Sequence, residues 1–368
     1  MTKHSKFIPG KLVALLLPAL FLLPLAGCGD SSVNGGPGTN AEVRLQGAGA
    51  TFPNPLYQKW FSEYNKVTPN AKFDYQSIGS GGGVKQITAK TVDFGGSDAP
   101  MKDDELKAVQ GGEILHIPTV LGAVVVTYNL PSVSTELRLT PDAIAGIYLG
   151  SITKWNDPAI ASSNPGVSLL AAAINPVHRS DGSGTSFIWT EYLSKVSPEW
   201  KEKIGAGGMV NWPPVGMGAK GNEGVTGQVK QTPNSLGYVE LIYAEQNKLP
   251  YASVKNAAGE FVKASLDSVT AAAAATAGQM PDDLRVSITN APGKDVYPIS
   301  SYTYFLVYKE QQDQAKGKAL VDFLWWSLHD GEQMAKLLLY SPLPADVVSK
   351  AEQKIKSITF QGKPLHSK

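Results

Sequence analysis

Three short stretches combine glycine, hydroxyl side chains and a helix start, the ingredients of a site for an anion. The first is GAGATFP at 47–53, between a strand reading over 43–48 and a helical face made by Leu56, Trp60, Phe61 and Tyr64. Glycine lets backbone approach a ligand, Thr51 can cap the helix, and Pro53 suits a first turn. A helix start offers unpaired N–H groups and the positive end of the helix dipole, which together favour negative charge. A plain strand–helix connection fits this stretch equally well. It is not a dinucleotide fingerprint, because Phe52 stands at the third glycine position. The second stretch, Gly79-Ser80-Gly81-Gly82-Gly83, precedes a helix expected over 84–90. Ser80 adds a hydroxyl, the spacing of a nucleotide P-loop is absent, and a flexible connector is the alternative. The third is RSDGSGTS at 179–186, where an extended segment over 173–177 meets a helix expected over 186–194. Arg179 supplies a planar fork suited to a tetrahedral oxyanion, with Asp181 close enough to hold it. Ser183 and Thr185 bring hydroxyl and backbone donors. The alternative is a surface ion pair beside a capped helix; Gly182-Ser183-Gly184 is not a hydrolase nucleophile elbow.

Asp98, in GSDAP at 96–100, is an acid among these turns. One explanation is an N-cap for a helix expected over 101–109. The other is that the anion carries a proton which the carboxylate accepts. Phosphate near neutral pH carries such a proton and sulfate does not, so Asp98 would bond the one and repel the other.

The elements that must position these residues alternate between strand and helix. Further strands are expected over 72–78, 92–96 and 301–308, and LHIPTVLGAVVVTYN at 115–129 is the longest extended apolar run. Helices are expected over 140–149, 224–230, 315–328 and 332–339, with a hairpin over 251–262 turning at 256–259 and an alanine-rich covering helix over 265–277. Short turns between strands and helices imply a parallel sheet with helices on its faces.

The 368 residues correspond to two domains at roughly 150 residues each. Hydrophobic residues at 42% supply a core, and a net charge of +1 argues against nucleic-acid binding through bulk charge. A single cysteine excludes an internal disulfide and a cysteine-based metal site, and the five histidines lack metal-binding spacing, so no cofactor or metal is expected. Lys3, Lys6 and Lys11 precede an apolar run over 12–26 that Pro18 and Pro24 interrupt. A membrane span needs about 20 apolar residues, so this run reads as a secretory leader. It ends in Leu25-Ala26-Gly27-Cys28, which resembles the lipobox of bacterial lipoproteins, with Cys28 as the lipidated first residue. Cleavage before Cys28 removes three lysines and no acid, so +1 becomes −2. A polar, glycine-rich tether over 29–42 would follow the leader over 1–28. The protein would then work outside the cytoplasmic membrane, away from ATP and the NAD(P)H pool.

Taken together, GAGATFP at 47–53, IGSGGGVKQ at 78–86, DFGGSDAP at 93–100 and RSDGSGTSF at 179–187 resemble the phosphate-binding protein of high-affinity phosphate ABC transporters. Similar stretches are IYLGSITKWND at 147–157, KGNEG at 220–224, SLGYVE at 235–240 and VYPIS at 296–300. The resemblance covers nearly all of the chain after the leader. It implies a two-lobed α/β periplasmic-binding-protein fold of type II character, each lobe a mixed, mainly parallel sheet flanked by helices. Lobe I would take 43–119 plus 296–368 and lobe II 120–295, with crossings near 118–122 and 290–300. The resemblance also implies a phosphate shell of Ala50, Thr51, Phe52, Ser80, Asp98, Arg179, Ser183, Gly184 and Thr185, with Asp181 orienting Arg179. Gly81 stands where some relatives have a second serine, and His178 where an arginine can occur. The implied partners are inorganic phosphate, the permease and ATPase subunits of the importer, and membrane lipid through Cys28. The protein would be a monomer that binds no nucleic acid and catalyses nothing. A binder of another oxyanion and a phosphoester-cleaving enzyme are the rival readings.

Overall fold

The computed structural model describes residues 42–366. The expected leader, Cys28 and the tether up to residue 41 lie outside the described residues. The described chain begins with β1 (Val43–Gly49) and α1 (Asn54–Val67). In α1, Leu56, Tyr57, Trp60, Phe61 and Tyr64 recur every three or four residues, and the face they form is buried. Tyr57 stacks on Phe305 at 4.3 Å between ring centroids and Phe61 on Phe73 at 5.3 Å, which fastens α1 to the sheet. Thr51 does not cap this helix, whose N-cap is Pro53 without a side-chain bond.

Both β2 (Ala71–Ser77) and β3 (Phe94–Ser97) pair in parallel with β1, one on each side. Between them α2 spans Ser80–Thr88, so the helix begins inside the glycine run rather than after it. Each glycine costs a helix about 1 kcal/mol relative to alanine, which is why the run reads locally as a turn. Packing overrides that preference. A β-carbon on Gly83 would stand 2.6 Å from the Gly96 carbonyl oxygen and 2.7 Å from the Gly49 Cα, so glycine lets α2 lie directly on the ends of β1 and β3. The next helix, α3 (Asp103–Lys107), is shorter than expected and has Lys102 as its N-cap. Asp98 therefore caps nothing there.

The apolar run becomes β4 (Ile114–Asn129), sixteen residues buried at all but the last. After it come β5 (Arg138–Leu139), α4 (Pro141–Leu149), α5 (Pro158–Ala161) and β6 (Asn175–Arg179). Next are α6 (Gly184–Val196), α7 (Pro198–Lys203), β7 (Met217–Ala219), α8 (Gly221–Gln231), β8 (Ser235–Glu240) and α9 (Leu241–Gln246). The hairpin of β9 (Ser253–Lys255) and β10 (Phe261–Val262) leads to α10 (Leu266–Thr276), which packs on β4 and on β11 (Ser300–Tyr308). The chain closes with β12 (Glu310–Gln311), α11 (Gln314–Leu328), α12 (Glu332–Leu337), α13 (Ala345–Lys356), β13 (Thr359–Phe360) and β14 (Lys363–Pro364). Of the helices not expected from the sequence, α13 buries Val347, Ala351 and Ile355 at a clean spacing of four, while α5, α7 and α9 are too short to show a period.

Eight strands form one sheet in the order β2-β1-β3-β11-β4-β8-β6-β7. Within it β4 changes partner: it runs antiparallel to β11 through Ala123 and antiparallel to β8 from Val124 onward. The outer pairings on each side are parallel, β1 with β2 and β3 on one, β6 with β7 and β8 on the other. Two mixed half-sheets thus meet at one strand, which is the two-lobed α/β architecture. No helix of the described residues is long and apolar enough to cross a membrane.

Candidate functional site

The three turns and Asp98 converge at the carboxyl ends of β1, β2, β3 and β6. Because β1 lies between β2 and β3, the connections from β1 and β2 leave a crevice beyond those ends, where open α/β sheets place ligands. Thr51 follows β1, Ser80 opens α2, Asp98 follows β3, and Arg179 ends β6 just before Ser183 caps α6. The turns touch directly, since Gly81 N–H donates to the Gly182 carbonyl at 3.0 Å. All of these side chains are buried; Asp98 is 1% exposed and Arg179 2%.

Arg179 is held from one side. Its Nε and Nη2 donate to the two Asp181 oxygens at 2.7 and 2.6 Å, and Nη1 lies 3.3 Å from Thr51 Oγ1. Burial alone would raise the Asp181 carboxyl, but the Arg179 pair and a bond from Gly221 N–H hold it below the usual carboxylate range. The pair therefore keeps its ionic form and turns one guanidinium nitrogen towards Thr51.

Asp98 accepts from Thr303 Oγ1 at 2.8 Å through Oδ1, while Oδ2 lies 3.4 Å from Ser80 Oγ. Burial pushes its carboxyl up to about 7, against the pull of Thr303, Arg179 and Ser80. Opposite it, a β-carbon on Gly184 would stand 2.3 Å from Ser80 Oγ and 2.4 Å from Asp98 Oδ2. Glycine is required there for α6 to reach the acid.

Donors outnumber charges in this shell. Gly184 and Thr185 open α6, so their N–H groups have no partner within the helix. Phe52 N–H has no partner among the described residues, whereas its carbonyl accepts from Tyr340 Oη at 2.6 Å. Ser183 Oγ accepts the Ser186 N–H at 2.9 Å, which leaves its own hydrogen to give. Ala50 differs from the others, because its N–H donates to Gly96 and its carbonyl accepts from Tyr75, so both of its polar groups are committed. His178 stacks on Trp212 at 4.6 Å and places Nδ1 3.0 Å from the Arg179 carbonyl, away from the set. A cavity of about 480 Å³ leads to Ser80, Ser183 and Gly184 between the two halves; Thr51, Asp98, Arg179 and Thr185 do not line it.

Sequence reasoning missed two members. Thr303 sits in an apolar strand with no motif around it, beside an irregularity in the β4–β11 register. Asn222 lies in the KGNEG stretch and donates from Nδ2 to Thr51 Oγ1 at 2.7 Å and to Thr185 Oγ1 at 3.0 Å.

The family model for the PBP superfamily domain matches residues 36–329. Phosphate-binding protein PstS of Xylella fastidiosa (strain 9a5c) is 48% identical over 311 residues, covering 84% of each chain. Phosphate-binding protein PstS of Pasteurella multocida is 47% identical over 330 residues, covering 89% of this chain and 94% of its own. The chain belongs to the PstS phosphate-binding protein family. The fold agrees with that placement in this family. It is similar to the phosphate-binding protein from Stenotrophomonas maltophilia, with a TM-score of 0.64 at 21% identity over 85% of this chain and 94% of that one. It is also similar to a high-affinity periplasmic phosphate-binding protein, PfluDING, bound with phosphate, with a TM-score of 0.68 at 20% identity over 84% and 93%. The PstS family resemblance carried by the four motifs is thereby borne out.

Proposed function

We propose that this protein captures inorganic phosphate in the crevice between its two half-sheets and delivers it to the permease and ATPase subunits of a phosphate ABC importer. The observation that carries the reading is the pairing of opposites in one buried shell: Arg179 for the negative charge and Asp98 for the ligand's proton. Phe52, Gly184 and Thr185 offer backbone donors; Thr51, Ser183 and Thr185 offer hydroxyls, while Ser80 gives its own to Asp98 Oδ2 at 3.4 Å. The change of β4 partner between Ala123 and Val124 supports lobes over 43–119 plus 296–368 and over 120–295, with that boundary a few residues later than expected. Fixed dipoles at the starts of α2 and α6 stabilise the anion without a cluster of lysines. Closure of the lobes on the anion gives the membrane subunits a liganded shape to recognise. The protein acts as a monomeric carrier rather than an enzyme, on the outer side of the cytoplasmic membrane, held to lipid through Cys28. Titration calorimetry of the purified protein with phosphate and with sulfate at one pH and ionic strength tests the reading. Saturable binding of phosphate that excess sulfate does not displace is expected; equal binding of both anions would overturn it in favour of a general oxyanion carrier.

A further inference from the structure

Asn222, the first side chain after Gly221 at the start of α8, is wholly buried and makes bonds in three directions. Its Oδ1 accepts the Glu240 N–H at 2.9 Å. A backbone N–H only donates, so this bond decides which way round the amide sits, and Nδ2 must face the two threonines. The two hydrogens on Nδ2 then go to Thr51 Oγ1 and to Thr185 Oγ1. Thr51 follows β1 in one half of the sheet, while Thr185 and Asn222 belong to the other half.

The hydroxyls have little freedom left. Thr51 Oγ1 also receives the Asn222 N–H at 3.2 Å and faces Arg179 Nη1 at 3.3 Å, so three donors share its two lone pairs. Neither Thr51 nor Thr185 donates its own hydroxyl hydrogen to any described residue. Two buried O–H donors therefore lack an acceptor among the described residues, beside Arg179 and the start of α6. Buried donors of this kind cost free energy unless something accepts from them.

We infer that Asn222 is a positioning residue for the anion: by donating to Thr51 and Thr185 it makes both hydroxyls acceptors towards itself and donors towards the ligand. Because the two threonines stand on opposite sides of the crevice, the same amide completes the donor set only when the halves are together. Hydroxyl orientation and closure are thus one event. This inference rests on phosphate being the anion in the crevice.

The test is a double-mutant cycle read by calorimetric titration with inorganic phosphate. Asn222→Ala in the otherwise unchanged protein weakens binding about 10-fold to 100-fold, the effect of misdirecting two donors. In a background that already carries Thr51→Val and Thr185→Val, the same substitution costs less than about threefold, because no hydroxyl remains to be oriented. An equal loss in both backgrounds would mean that Asn222 merely supports the fold, and would overturn the inference. Neutron diffraction from the unaltered protein gives a second measurement that needs neither a folded variant nor phosphate uptake. Deuterons of Thr51 and Thr185 directed away from Asn222 uphold the inference, and deuterons directed at it sink it. If the unaltered protein fails to bind phosphate, the functional reading falls, while the neutron map still decides the role of Asn222.

Discussion

Thr303 donates its hydroxyl to Asp98 Oδ1 at 2.8 Å across 205 positions of sequence, and that bond fixes which carboxylate oxygen faces Ser80 and Gly184. One carboxylate oxygen is tied to β11, and the other is left facing Ser80 Oγ and the place where Gly184 makes room. An N-cap would spend its oxygen on a helix N–H; Asp98 has none to serve, since α3 begins at Asp103. An oxygen held only by the long 3.4 Å bond from Ser80 Oγ, in a buried shell of donors, is suited to accept one proton from the ligand.

Asp98→Asn keeps the shape and removes the charge. Phosphate loses a charge-assisted hydrogen bond worth about 1.5–3 kcal/mol, offset in part because the amide can still accept or donate. Sulfate no longer meets a carboxylate, so its binding rises and the phosphate-to-sulfate ratio narrows. Paired titrations with both anions measure this. An unaltered ratio would remove Asp98 from the selectivity argument.

Asp98 also makes the ligand-free protein sensitive to pH. Its carboxyl titrates at about 7 when folded, against an ordinary value of 3.8, because burial disfavours the charged form. Between those values the folded state holds a proton that the unfolded chain has released. Stability without anion therefore falls as pH rises through this window, and the component is lost above about 7. Asp98→Asn lacks the component, so the melting temperature of the unaltered protein drops relative to the variant between about pH 4 and 7. A constant difference across the window would mean that the folded carboxyl titrates near its ordinary value. Protonated Asp98 also ceases to repel sulfate, so sulfate competes better on the acid side of neutrality.

Arg179→Ala removes the guanidinium and strands Asp181, which is only partly exposed and bonded to Gly221. Truncating one partner of a buried charged contact costs about 2–5 kcal/mol of binding, a loss of roughly 30-fold to several thousand-fold. Phosphate affinity unchanged within error would place Arg179 outside the ligand shell.

Gly184→Ala tests the close approach. The added carbon meets Ser80 Oγ and Asp98 Oδ2 at 2.3 and 2.4 Å, so the crevice must open or the acid must move. Overpacking of this kind costs about 1–3 kcal/mol, and the expected reading is phosphate affinity weakened about 5-fold to 150-fold. Ligand-free melting should change less, because alanine is the better residue within a helix. Full affinity in the variant would show that the anion does not need Gly184 against Asp98.

Cys28 carries the proposed lipid anchor. Cys28→Ser should release the protein from the membrane fraction into the soluble fraction and leave phosphate binding as it was. Retention of the variant on membranes after a salt wash would refute anchoring through Cys28.

What the sequence alone determined is what depends on neighbours along the chain. The periodic face of α1, the apolar run of β4 and the strand that became β11 were legible because burial imposes a local rhythm on residue types. Thr51, Ser80, Arg179 and Ser183 stood out because glycine and hydroxyl residues cluster where strands turn into helices, and Asp181 lies two positions from the guanidinium it holds. Tertiary structure alone decided the rest. It settled that Asp98 does not cap α3, that both polar groups of Ala50 are committed, that α2 starts within a glycine run, and that Thr303 and Asn222 bond to Asp98 and Thr51. Those outcomes turn on which strands lie side by side, since a hydrogen bond of 2.7 Å between residues 171 positions apart leaves no mark on the residues next to either one.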